Sequence, residues 1–548
     1  NGKRLYGDDT YARINVAKIK RIEILNGASS ALYGTNAIGG VINIITDDPK
    51  NAINVSSDTR YASKGRFTQS VNIDVNTGKF GSYTSYRRQQ AEGWQLNPYE
   101  ENSKTHELEE TGKVASTGFY ANTVNQKFTF DATDKLSFYA RGGYYDNKTR
   151  RPYEAYDYNI LHETFNYGIG AQYMINKGNY ITADCYADHF SSSYCFFKDN
   201  KTYNGKAGEE QVRKRTRNHN LSIKGIFKLG NRHKLSVGTE YIVDVLKSQT
   251  DNIAKEDAYT LALFAQDEIK LLRNLQALIG VRYIYHENFK NHATPNVALM
   301  YKPGKFNFRA SYAAGFRTPT LSELYATDIA KKNDRLTIGN LDLKPEKNNY
   351  FSLSAEYVHE RFSVSVNAFY NNIRDMIDYN TIATGDKAME QYGHKEVRQR
   401  DNIAEAKVHG INVSANAYLG AGFNLSGGYT HLNTQDVELE QPIDKSIKNA
   451  YNINAQWAHS WKIYRLNINL NGRINSKRFS KSYGYAPEYQ LWDLNTRHSF
   501  NLKSVIIEPG FGMENLFDYM DDRPYNSNYA TLTPGRSFYI SLSLKFKS

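Results

Sequence analysis

The sequence predicts an all-β membrane protein: a 22-stranded antiparallel transmembrane β-barrel that follows a small N-terminal domain. Three observations predict it: a two-residue alternation of apolar and polar side chains, an alternation of short turns with long polar segments, and the composition. Mean hydropathy is −0.65, and no apolar run reaches the ~20 residues of a membrane helix. The chain holds 43 Tyr and only 12 Pro, which is typical of strands that are apolar on one face.

The strands are predicted from the alternation, which is clearest at the C-terminus. There Phe538, Ile540 and Leu542 share one face, and Tyr539 and Ser541 share the other. Similar runs occupy 362–370 and 466–474. A helix would not keep such residues on one side at spacing two. Runs of ~10 residues suit tilted strands that cross a bilayer, whereas the strands of a two-sheet sandwich are usually about five or six residues long.

Turns and loops alternate along the chain in the way that is typical of outer-membrane barrels. Short turns are predicted at 76–79, 131–135, 176–178, 230–232, 272–274, 303–305, 359–361, 420–422, 459–460 and 503–504. Long polar segments are predicted as outer loops at 91–114, 190–216, 325–349, 376–405 and 432–449. Each short turn joins two hairpins, so the turns predict 22 strands. Closure would leave no strand edge for lipid to solvate.

Charge and cysteines leave alternatives open. The net charge of +12 fits a solvated surface, contact with anionic lipopolysaccharide, or an acidic ligand. Its dispersion along the chain argues against nucleic acid. Cys185 and Cys195 flank a polar run, 191–194, which could form a bend. A disulfide near a hairpin tip and two free thiols both remain open, and no Cys/His spacing for a metal is present.

Residues 1–50 break the barrel pattern. Their sequence indicates a strand, a small-residue turn or short helix, a bend at Gly39-Gly40, and a β-branched strand. A small globular α/β module is the alternative. A phosphate-binding P-loop is not supported, because GxxxxGK[ST] does not occur in the chain. No signal peptide is visible, so we expect that an earlier part of this domain lies outside the sequence.

The run from Ile19 to Thr46, IKRIEILNGASSALYGTNAIGGVINIIT, resembles the end of the plug domain of TonB-dependent receptors. The residues that carry this motif are Gly27, Tyr33, Gly34, Asn36, Gly39, Gly40 and Asn43. Further resemblances lie at 263–268, 315–325, 339–346, 514–518 and in the strand that ends at Phe546. The segments 315–325 and 339–346 resemble the haem, colicin I and cobalamin receptor branch. The resemblance divides the chain into part of a plug, 1–50, and a barrel, 51–548.

The resemblance implies a multi-pass protein of the Gram-negative outer membrane that imports a ligand and is not an enzyme. The implied ligand is a scarce iron chelate, either haem or a ferric siderophore, with cobalamin (vitamin B12) as the alternative. Implied partners are the TonB–ExbB–ExbD energy-transducing complex, outer-membrane lipid with lipopolysaccharide, and a surface lipoprotein that delivers ligand. No intrinsic cofactor and no nucleic acid are implied. Polar plug residues are expected to pair with charges in the lumen, or simply to aid solubility: Arg13, Lys18, Lys20, Arg21, Glu23 and Asn43.

Ligand-binding candidates come from the predicted outer loops. His394 is the first choice, because imidazole binds metals and haem iron. The haem branch usually places its ligand His between the two signature segments, but 320–338 contains no His. Siderophore and cobalamin receptors use aromatic and basic loop residues. The full set of candidates is His394, His106, His292, Tyr153, Tyr156 and Arg317, and His189, His286 and His431 are also predicted in or near outer loops.

Other functional classes fit the sequence less well. A passive porin would share the barrel but not the segment 19–46. An outer-membrane enzyme would need a catalytic group at the rim, and neither HExxH nor GxSxG occurs. A purely structural or adhesive barrel is the third alternative, and loss of growth on one limiting nutrient after deletion would argue against it.

Overall fold

The computed structural model describes residues 12–14, 19–26, 40–46, 52–102, 105–330, 334–481, 484–525 and 533–547. This part of the chain forms strands and two short helices. The strands are β1 (Ile19–Asn26), β2 (Gly40–Thr46), β3 (Ile53–Ala62), β4 (Arg66–Asn76), β5 (Phe80–Ala91), β6 (Tyr99–Glu101), β7 (Leu108–Glu110), β8 (Gly118–Asp131), β9 (Leu136–Arg150), β10 (Tyr158–Asn176), β11 (Asn179–Phe196), β12 (Glu210–Leu229), β13 (His233–Ser248), β14 (Ile253–Leu272), β15 (Leu275–His286), β16 (Lys290–Tyr301), β17 (Phe306–Arg317), β18 (Thr327–Ala330), β19 (Arg335–Ile338), β20 (Glu346–Val358), β21 (Phe362–Thr384), β22 (Glu396–Gly420), β23 (Phe423–Asp436), β24 (Asn449–Trp461), β25 (Tyr464–Asn475), β26 (Arg478–Ser480), β27 (Gly484–Ala486), β28 (Tyr489–Leu502), β29 (Val505–Glu514) and β30 (Ser537–Lys547).

The helices are α1 (Leu321–Tyr325) and α2 (Gly385–Tyr392). Both lie in outer loops, α1 between β17 and β18 and α2 between β21 and β22. No helix in the described part of the chain has the length and apolar character needed to cross a membrane.

Twenty-two strands close into one antiparallel barrel, which confirms the predicted fold class. Each barrel strand pairs with the next one along the chain, and the last strand, β30, pairs with both β29 and β3. The closing pairs include Ala62 opposite Tyr539 and Thr59 opposite Leu542. Closure therefore gives each of these 22 strands a hydrogen-bonded neighbour on both sides, as a lipid environment requires.

The two faces of the barrel follow the alternation in the sequence. On β21, Phe362, Val364 and Val366 point outward and are exposed on the isolated chain, as lipid-facing side chains are. On β30, Phe538 and Ile540 do the same. Buried polar side chains lie on the opposite, lumen-facing positions of other strands, among them Asn72, Thr164, Asp188 and Arg282.

Nine of the ten predicted short turns join the strands as expected. The exception is the turn between β24 and β25, which lies at Lys462-Ile463 and not at His459-Ser460. His459 continues β24, where its ring stacks between those of Trp457 and Trp461 at 6.0 and 4.4 Å. The pair was predicted as a turn because both residues are polar, and at the end of a strand polarity does not distinguish a strand from a turn.

Two predicted loops are largely strand. β11 runs to Phe196 and β12 begins at Glu210, inside the segment predicted as a loop over 190–216. Likewise β21 runs to Thr384 and β22 begins at Glu396, inside 376–405. These strands extend beyond the lipid into water. Both of their faces can be polar there, so the alternation that marks a strand disappears from the sequence.

The two cysteines lie on one strand, and neither is bonded. Cys185 and Cys195 are separated along β11 by about 33 Å of extended chain, which a disulfide cannot span. The predicted bend at 191–194 is wrong, because these residues continue β11 with only a register shift between Ser192 and Ser193. A disulfide between these two residues is thereby ruled out.

The N-terminal segment forms a hairpin apart from the barrel sheet. Its strands β1 and β2 are antiparallel, with Glu23 opposite Asn43 and Asn26 opposite Gly40. Gly40 has φ of 144°, a conformation that residues with a side chain rarely adopt. The motif residues Gly27, Tyr33, Gly34, Asn36 and Gly39 lie outside the described residues. The first barrel strand begins at Ile53, and the domain boundary at residue 50 stays a prediction.

Candidate ligand site

An aromatic cluster lies at the outer ends of β10 and β11. The Tyr158 and Tyr194 rings are stacked with centroids 4.1 Å apart, and Tyr203 meets them edge-on at 5.8 and 5.1 Å. Phe196 packs beside Tyr158 at 5.6 Å. We call these four residues the outer aromatic cluster. By strand alternation, Tyr158 and Tyr194 share the lumen-facing side with Asp188 on β11, so the cluster lies at the mouth of the barrel.

Two arginines lie over the rings of the cluster. The Arg213 guanidinium is 5.3 Å from the Tyr194 ring centre and 5.0 Å from that of Tyr203. Arg151 is 5.1 Å from Tyr158 and 4.7 Å from Tyr156. The Nε atoms of both arginines are buried without a hydrogen-bond partner. In the part of the chain that the structure describes, neither guanidinium forms an ion pair, so their charge is available to an anionic ligand.

The position of Arg213 depends on a β-bulge. Along β11 and β12, Ser192 pairs with Lys214 but Ser193 pairs with Val212, which leaves Arg213 as the extra residue. A bulge redirects the side chain of the extra residue, and here that side chain reaches Tyr194 and Tyr203. The sequence alternation carries no signal for this bulge, and this is why Arg213 was missing from the predicted site.

The loop between β11 and β12 folds down onto the cluster. Asn200 and Gly205 form a short antiparallel bridge that brings Tyr203 over the rings. A Cβ at Gly205 would lie 2.4 Å from the Phe196 ring, so only glycine permits this approach. Burial, and then the neighbouring Tyr158, raise the pKa of Tyr203. Its hydroxyl therefore stays neutral and able to donate a hydrogen bond at neutral pH.

The predicted residues Tyr153 and Tyr156 lie beside this cluster. Tyr153 stacks on Phe197 at 5.5 Å, and the Lys198 ammonium lies 3.8 Å from the Tyr153 ring centre. Tyr156 lies under Arg151. The structure thus brings both tyrosines to the loops that carry the cluster. Their role in binding stays a prediction.

His394 and His106 occupy outer loops but lie in different surroundings. His394 follows α2, and its Nδ1 is 2.9 Å from Oδ1 of Asp334. The hydrogen bond from His394 lowers the pKa of Asp334. His106 is strongly exposed, and its Nδ1 is 2.7 Å from Oε1 of Glu101. The two histidines belong to separate loops.

His292 was predicted in or near an outer loop, and it is the third residue of β16, directly after such a loop. Its Nε2 is 3.0 Å from the backbone oxygen of Phe289, and its ring stacks on Phe316 at 4.9 Å. The carbonyl accepts a hydrogen bond from Nε2, so that nitrogen is not open to a metal. His189, His286 and His431 also lie on strands, within β11, β15 and β23.

Arg317 joins the two signature segments that carried the receptor-branch resemblance. Its guanidinium donates to Glu346 at 2.6 and 2.8 Å and to Glu323 at 2.9 and 3.2 Å. Glu323 also forms the capping box of α1 with Thr320. Each of the two hydrogen-bonding edges of the Arg317 guanidinium is therefore bound by a carboxylate. In this structure Arg317 anchors the loop after β17, and its assignment as a ligand-binding residue stays a prediction.

The plug segment contacts the barrel wall through charged and polar groups. Nη1 of Arg13 lies 3.2 and 3.3 Å from the two carboxylate oxygens of Asp188 on β11. Nη1 of Arg87 on β5 donates to the backbone oxygen of Ile14 at 2.9 Å. Arg13 was predicted to pair in the lumen, and this contact agrees with that prediction.

Other predicted plug residues bond within the hairpin. Arg21 and Asn43 both donate to Glu23, at 2.6 and 2.9 Å. Lys18 lies outside the described residues, as does the side chain of Lys20. Among the described residues, no group of three or more His, Cys, Asp or Glu side chains is arranged to hold a metal ion.

The barrel and the plug segment each match a known family. The model for the TonB-dependent receptor-like β-barrel matches residues 67–516. The chain belongs to the TonB-dependent receptor family. The model for the TonB-dependent receptor plug domain matches residues 1–41. Neither match specifies the haem, colicin I and cobalamin branch, so that finer assignment stays a prediction.

Solved receptors share this architecture. A mutant form of the ferric enterobactin receptor PfeA from Pseudomonas aeruginosa is similar with a TM-score of 0.83 and 17% identity, over 98% of this chain and 86% of that one. The siderophore receptor PirA from Acinetobacter baumannii gives 0.78 and 17%, over 98% and 87%. The FrpB iron transporter from Neisseria meningitidis gives 0.73 and 14%, over 97% and 88%. At these identities the likeness establishes the fold.

Family membership establishes the cellular setting. This TonB-dependent receptor is a multi-pass protein of the outer membrane of a Gram-negative bacterium. It is a transporter and not an enzyme. Membership also implies interaction with the TonB–ExbB–ExbD complex, which supplies the energy for import.

Proposed function

We propose that this receptor imports a ferric siderophore whose iron-binding groups are aromatic and negatively charged. The outer aromatic cluster with Arg151 and Arg213 carries the proposal. Flat rings stack on tyrosines, and guanidinium groups bind anionic oxygens by charge-assisted hydrogen bonds. The similar solved structures of siderophore receptors support an iron chelate as the ligand.

The position of the cluster also supports a signal to the plug. Tyr194 of the cluster and Asp188, which binds plug residue Arg13, lie on the same face of β11. Phe190 lies between them on that face, 6.0 Å from the Arg13 guanidinium. A ligand that moves the side chains of the cluster would thus shift β11, and β11 contacts the plug through Asp188. Ligand binding must favour one plug state over another if a signal is to cross.

Binding measurements on purified receptor test the proposal. The probes are a ferric tris-catecholate, a neutral ferric hydroxamate, haemin and cyanocobalamin, each titrated against intrinsic fluorescence. We expect the tris-catecholate to bind most tightly. The double variant Arg151→Gln/Arg213→Gln should weaken that binding at least about tenfold, because it removes charge-assisted hydrogen bonds.

The matched control is Arg150→Gln/Arg232→Gln, which removes the same charge from exposed positions outside the cluster. It should bind like the wild type. Tightest binding of the neutral hydroxamate or of cyanocobalamin, with no effect of the cluster variant, would contradict the proposal. Cyanocobalamin is the probe for the alternative ligand class.

Haem is the second candidate for the imported ligand, and the surroundings of His394 are the observation that favours it. Histidines that bind metals commonly direct the other ring nitrogen to a carboxylate, and His394 Nδ1 is 2.9 Å from Asp334. Its Nε2 would then be the iron ligand. Haemin titration should give a Soret band that His394→Ala removes and that His106→Ala leaves unchanged. An unchanged band in His394→Ala would eliminate this candidate.

We also propose that a surface lipoprotein delivers the ligand to the outer loops. Cross-linking on intact cells, followed by identification of lipidated proteins joined to the loop 197–209, tests it. Uptake that is equally fast in a strain without the captured lipoprotein would contradict the proposal.

A further inference from the structure

A buried cation without a counter-ion faces the lumen from β9. The Nε and Nη2 atoms of Arg141 are buried and have no hydrogen-bond partner. Its guanidinium lies over the Tyr186 ring of β11, 4.7 Å from the ring centre. In the part of the chain that the structure describes, Arg141 takes part in no ion pair. A buried charge is destabilising unless an opposite charge or hydrogen bonds compensate it, and a ring offsets only part of that effect.

Strand register places Arg141 close to the carboxylate that holds the plug. Arg141 pairs with Gly168 on β10, and Gly168 pairs with Tyr186 on β11. Asp188 is the next lumen-facing residue of β11 toward the outer surface. The Cα atoms of Arg141 and Asp188 are thus two strands and two residues apart, on the order of 12 Å. An arginine and an aspartate side chain that extend toward each other bridge this separation.

The wall around Arg141 leaves its side chain room to turn toward the outer surface. A Cβ at Gly168 would lie 3.1 Å from the Tyr186 ring and 3.4 Å from Nε of Arg141, so a side chain there would crowd both groups. Gly143, the next lumen-facing residue of β9, has no side chain either. On the other side, Lys127 of β8 pairs directly with Arg141. Like charges opposite each other repel, so the guanidinium is favoured toward β11.

Asp188 needs another cation once the plug moves. Its side chain is fully buried, and its two carboxylate oxygens lie 3.3 and 3.2 Å from Nη1 of Arg13. Arg13 belongs to the segment that the plug-domain model matches, and import requires the plug to rearrange. Removal of one partner from a buried ion pair leaves an uncompensated charge, which is strongly destabilising. Withdrawal of Arg13 is therefore opposed unless a second cation takes its place.

We propose that Arg141 is a positioning residue for import: when Arg13 withdraws, Arg141 leaves the Tyr186 ring and binds Asp188. The exchange keeps the carboxylate paired at each stage, so the plug contact breaks without leaving a buried charge alone. When the plug returns, Arg13 binds Asp188 again and Arg141 goes back to the ring. The inference depends on membership of the receptor family and not on which ligand is imported. Asp184, two residues to the periplasmic side of Tyr186 on the same face of β11, is the alternative acceptor.

The structure of the Arg13→Gln receptor tests the exchange directly. This change removes the plug cation, and crystallography or cryo-electron microscopy of the full chain in detergent then locates Arg141. We expect its guanidinium within hydrogen-bond distance of Asp188 and away from the Tyr186 ring. The matched control is Arg21→Gln, which removes an exposed cation from plug strand β1. In that control Arg141 should stay over the ring.

Uptake kinetics test the role in import. Cells are supplied with radiolabelled ferric tris-catecholate, or with whichever of the other three probes the wild type imports. Arg141→Gln should lower the maximal rate at least about fivefold and leave the half-saturating concentration within about twofold, because the affected step follows binding. Arg141→Lys retains the charge and should recover most of the lost rate.

The matched control for uptake is Lys224→Gln, which removes another lumen-facing cation from β12. Lys224 pairs with Thr182, six residues from Asp188 along β11, so its ammonium cannot reach that carboxylate. This variant should import like the wild type. An equal loss of rate in Lys224→Gln would mean that positive charge in the lumen acts on the ligand in general, and it would contradict the proposal.

Other results would also overturn it. One is a guanidinium that stays over Tyr186, or that binds Asp184, in the Arg13→Gln receptor. Another is an unchanged uptake rate in Arg141→Gln, or weaker binding of the probe by that variant, which would assign Arg141 to the ligand site. Heat-modifiable migration on gels checks that each variant assembles. If Arg141→Gln does not assemble, the structure of the Arg13→Gln receptor, which retains Arg141, still decides.

Discussion

Nη1 of Arg13 in the plug segment donates to both carboxylate oxygens of Asp188 in the barrel wall, at 3.2 and 3.3 Å. The side chains are 6% and 0% exposed, so removal of one partner would leave the other charge buried. Arg13 also approaches Phe190 on the same strand. This ion pair links the plug, which must rearrange during import, to the barrel wall, which stays fixed.

Asp188→Asn should loosen the plug from the barrel wall. Breaking a buried ion pair by removing one partner typically costs about 3–5 kcal/mol. We expect faster amide hydrogen exchange in β1 and β2, measured by mass spectrometry, while exchange in β20–β22 stays as in the wild type. A double-mutant cycle with Arg13→Gln isolates the pair. Strictly additive effects of the two changes would show that the two side chains do not interact.

Gly40→Val should reduce uptake of the ligand while the barrel still assembles. Gly40 adopts a φ of 144° at the start of β2, and a β-branched residue is strongly disfavoured there. Such strain costs on the order of 1–3 kcal/mol. Uptake of radiolabelled ligand measures transport, and heat-modifiable migration on gels measures assembly of the barrel. Ile44→Val in the same strand is the control, and wild-type uptake by Gly40→Val would refute the role of this glycine.

Glu346→Gln should release the loop after β17. Glu346 accepts two hydrogen bonds from Arg317 and a third from the backbone nitrogen of Ile377 at 2.9 Å. Hydrogen bonds to charged groups contribute about 1.5–3 kcal/mol each. Limited proteolysis should cut within 318–345 faster in the variant. Glu360→Gln, at an exposed periplasmic turn, should leave the cleavage rate unchanged.

The same loop should loosen in acid. Burial opposes ionisation of Glu323, but the hydrogen bonds and charge of Arg317 outweigh it and lower the pKa of Glu323 below its ordinary value of 4.5. The stabilisation is therefore fully present above that value and is lost as the pH falls through the lowered folded pKa. Cleavage of 318–345 by pepsin should rise in that window. Glu323→Gln should make cleavage less dependent on pH, and an unaltered pH profile in that variant would contradict the assignment.

Leu542→Arg should destabilise the folded barrel in lipid bilayers. Leu542 lies on the outward face of β30, and an arginine at the bilayer midplane costs about 2–4 kcal/mol. Leu502→Arg, at the periplasmic end of β28, is the matched control for depth and should cost about 0–1 kcal/mol. Equal folding free energies for the two variants would show that the facing of β30 is wrong.

The number of strands was predictable because the two faces of each strand lie in different surroundings. The alternation from Phe538 to Phe546 reports lipid on one side and the lumen on the other, and short turns separate the hairpins. The error at His459-Ser460 and the excess loop at 376–405 have one origin. Beyond the lipid, polarity no longer distinguishes a strand from a loop.

The candidate site was only partly predictable. Tyr153 and Tyr156 were predicted from the aromatic and basic composition of their segment, and the structure places them beside the outer aromatic cluster. Arg213 was missed because its direction depends on a bulge, and Tyr203 because its position depends on Gly205 approaching Phe196. Arg317 was predicted as a ligand residue within the signature segment 315–325, whereas the structure pairs it with Glu323 of that segment and with Glu346 of the second one.

The sequence by itself determined the closed 22-stranded barrel, the lipid-facing residues and the family, because these depend on periodicity and local motifs. Only the tertiary structure decided which cations meet which anions or rings. Arg13 and Asp188 are 175 positions apart in the chain, and Arg215 and Lys247 become neighbours only through strand register. Periodicity sets the face on which a side chain lies, but register and closure set its partners.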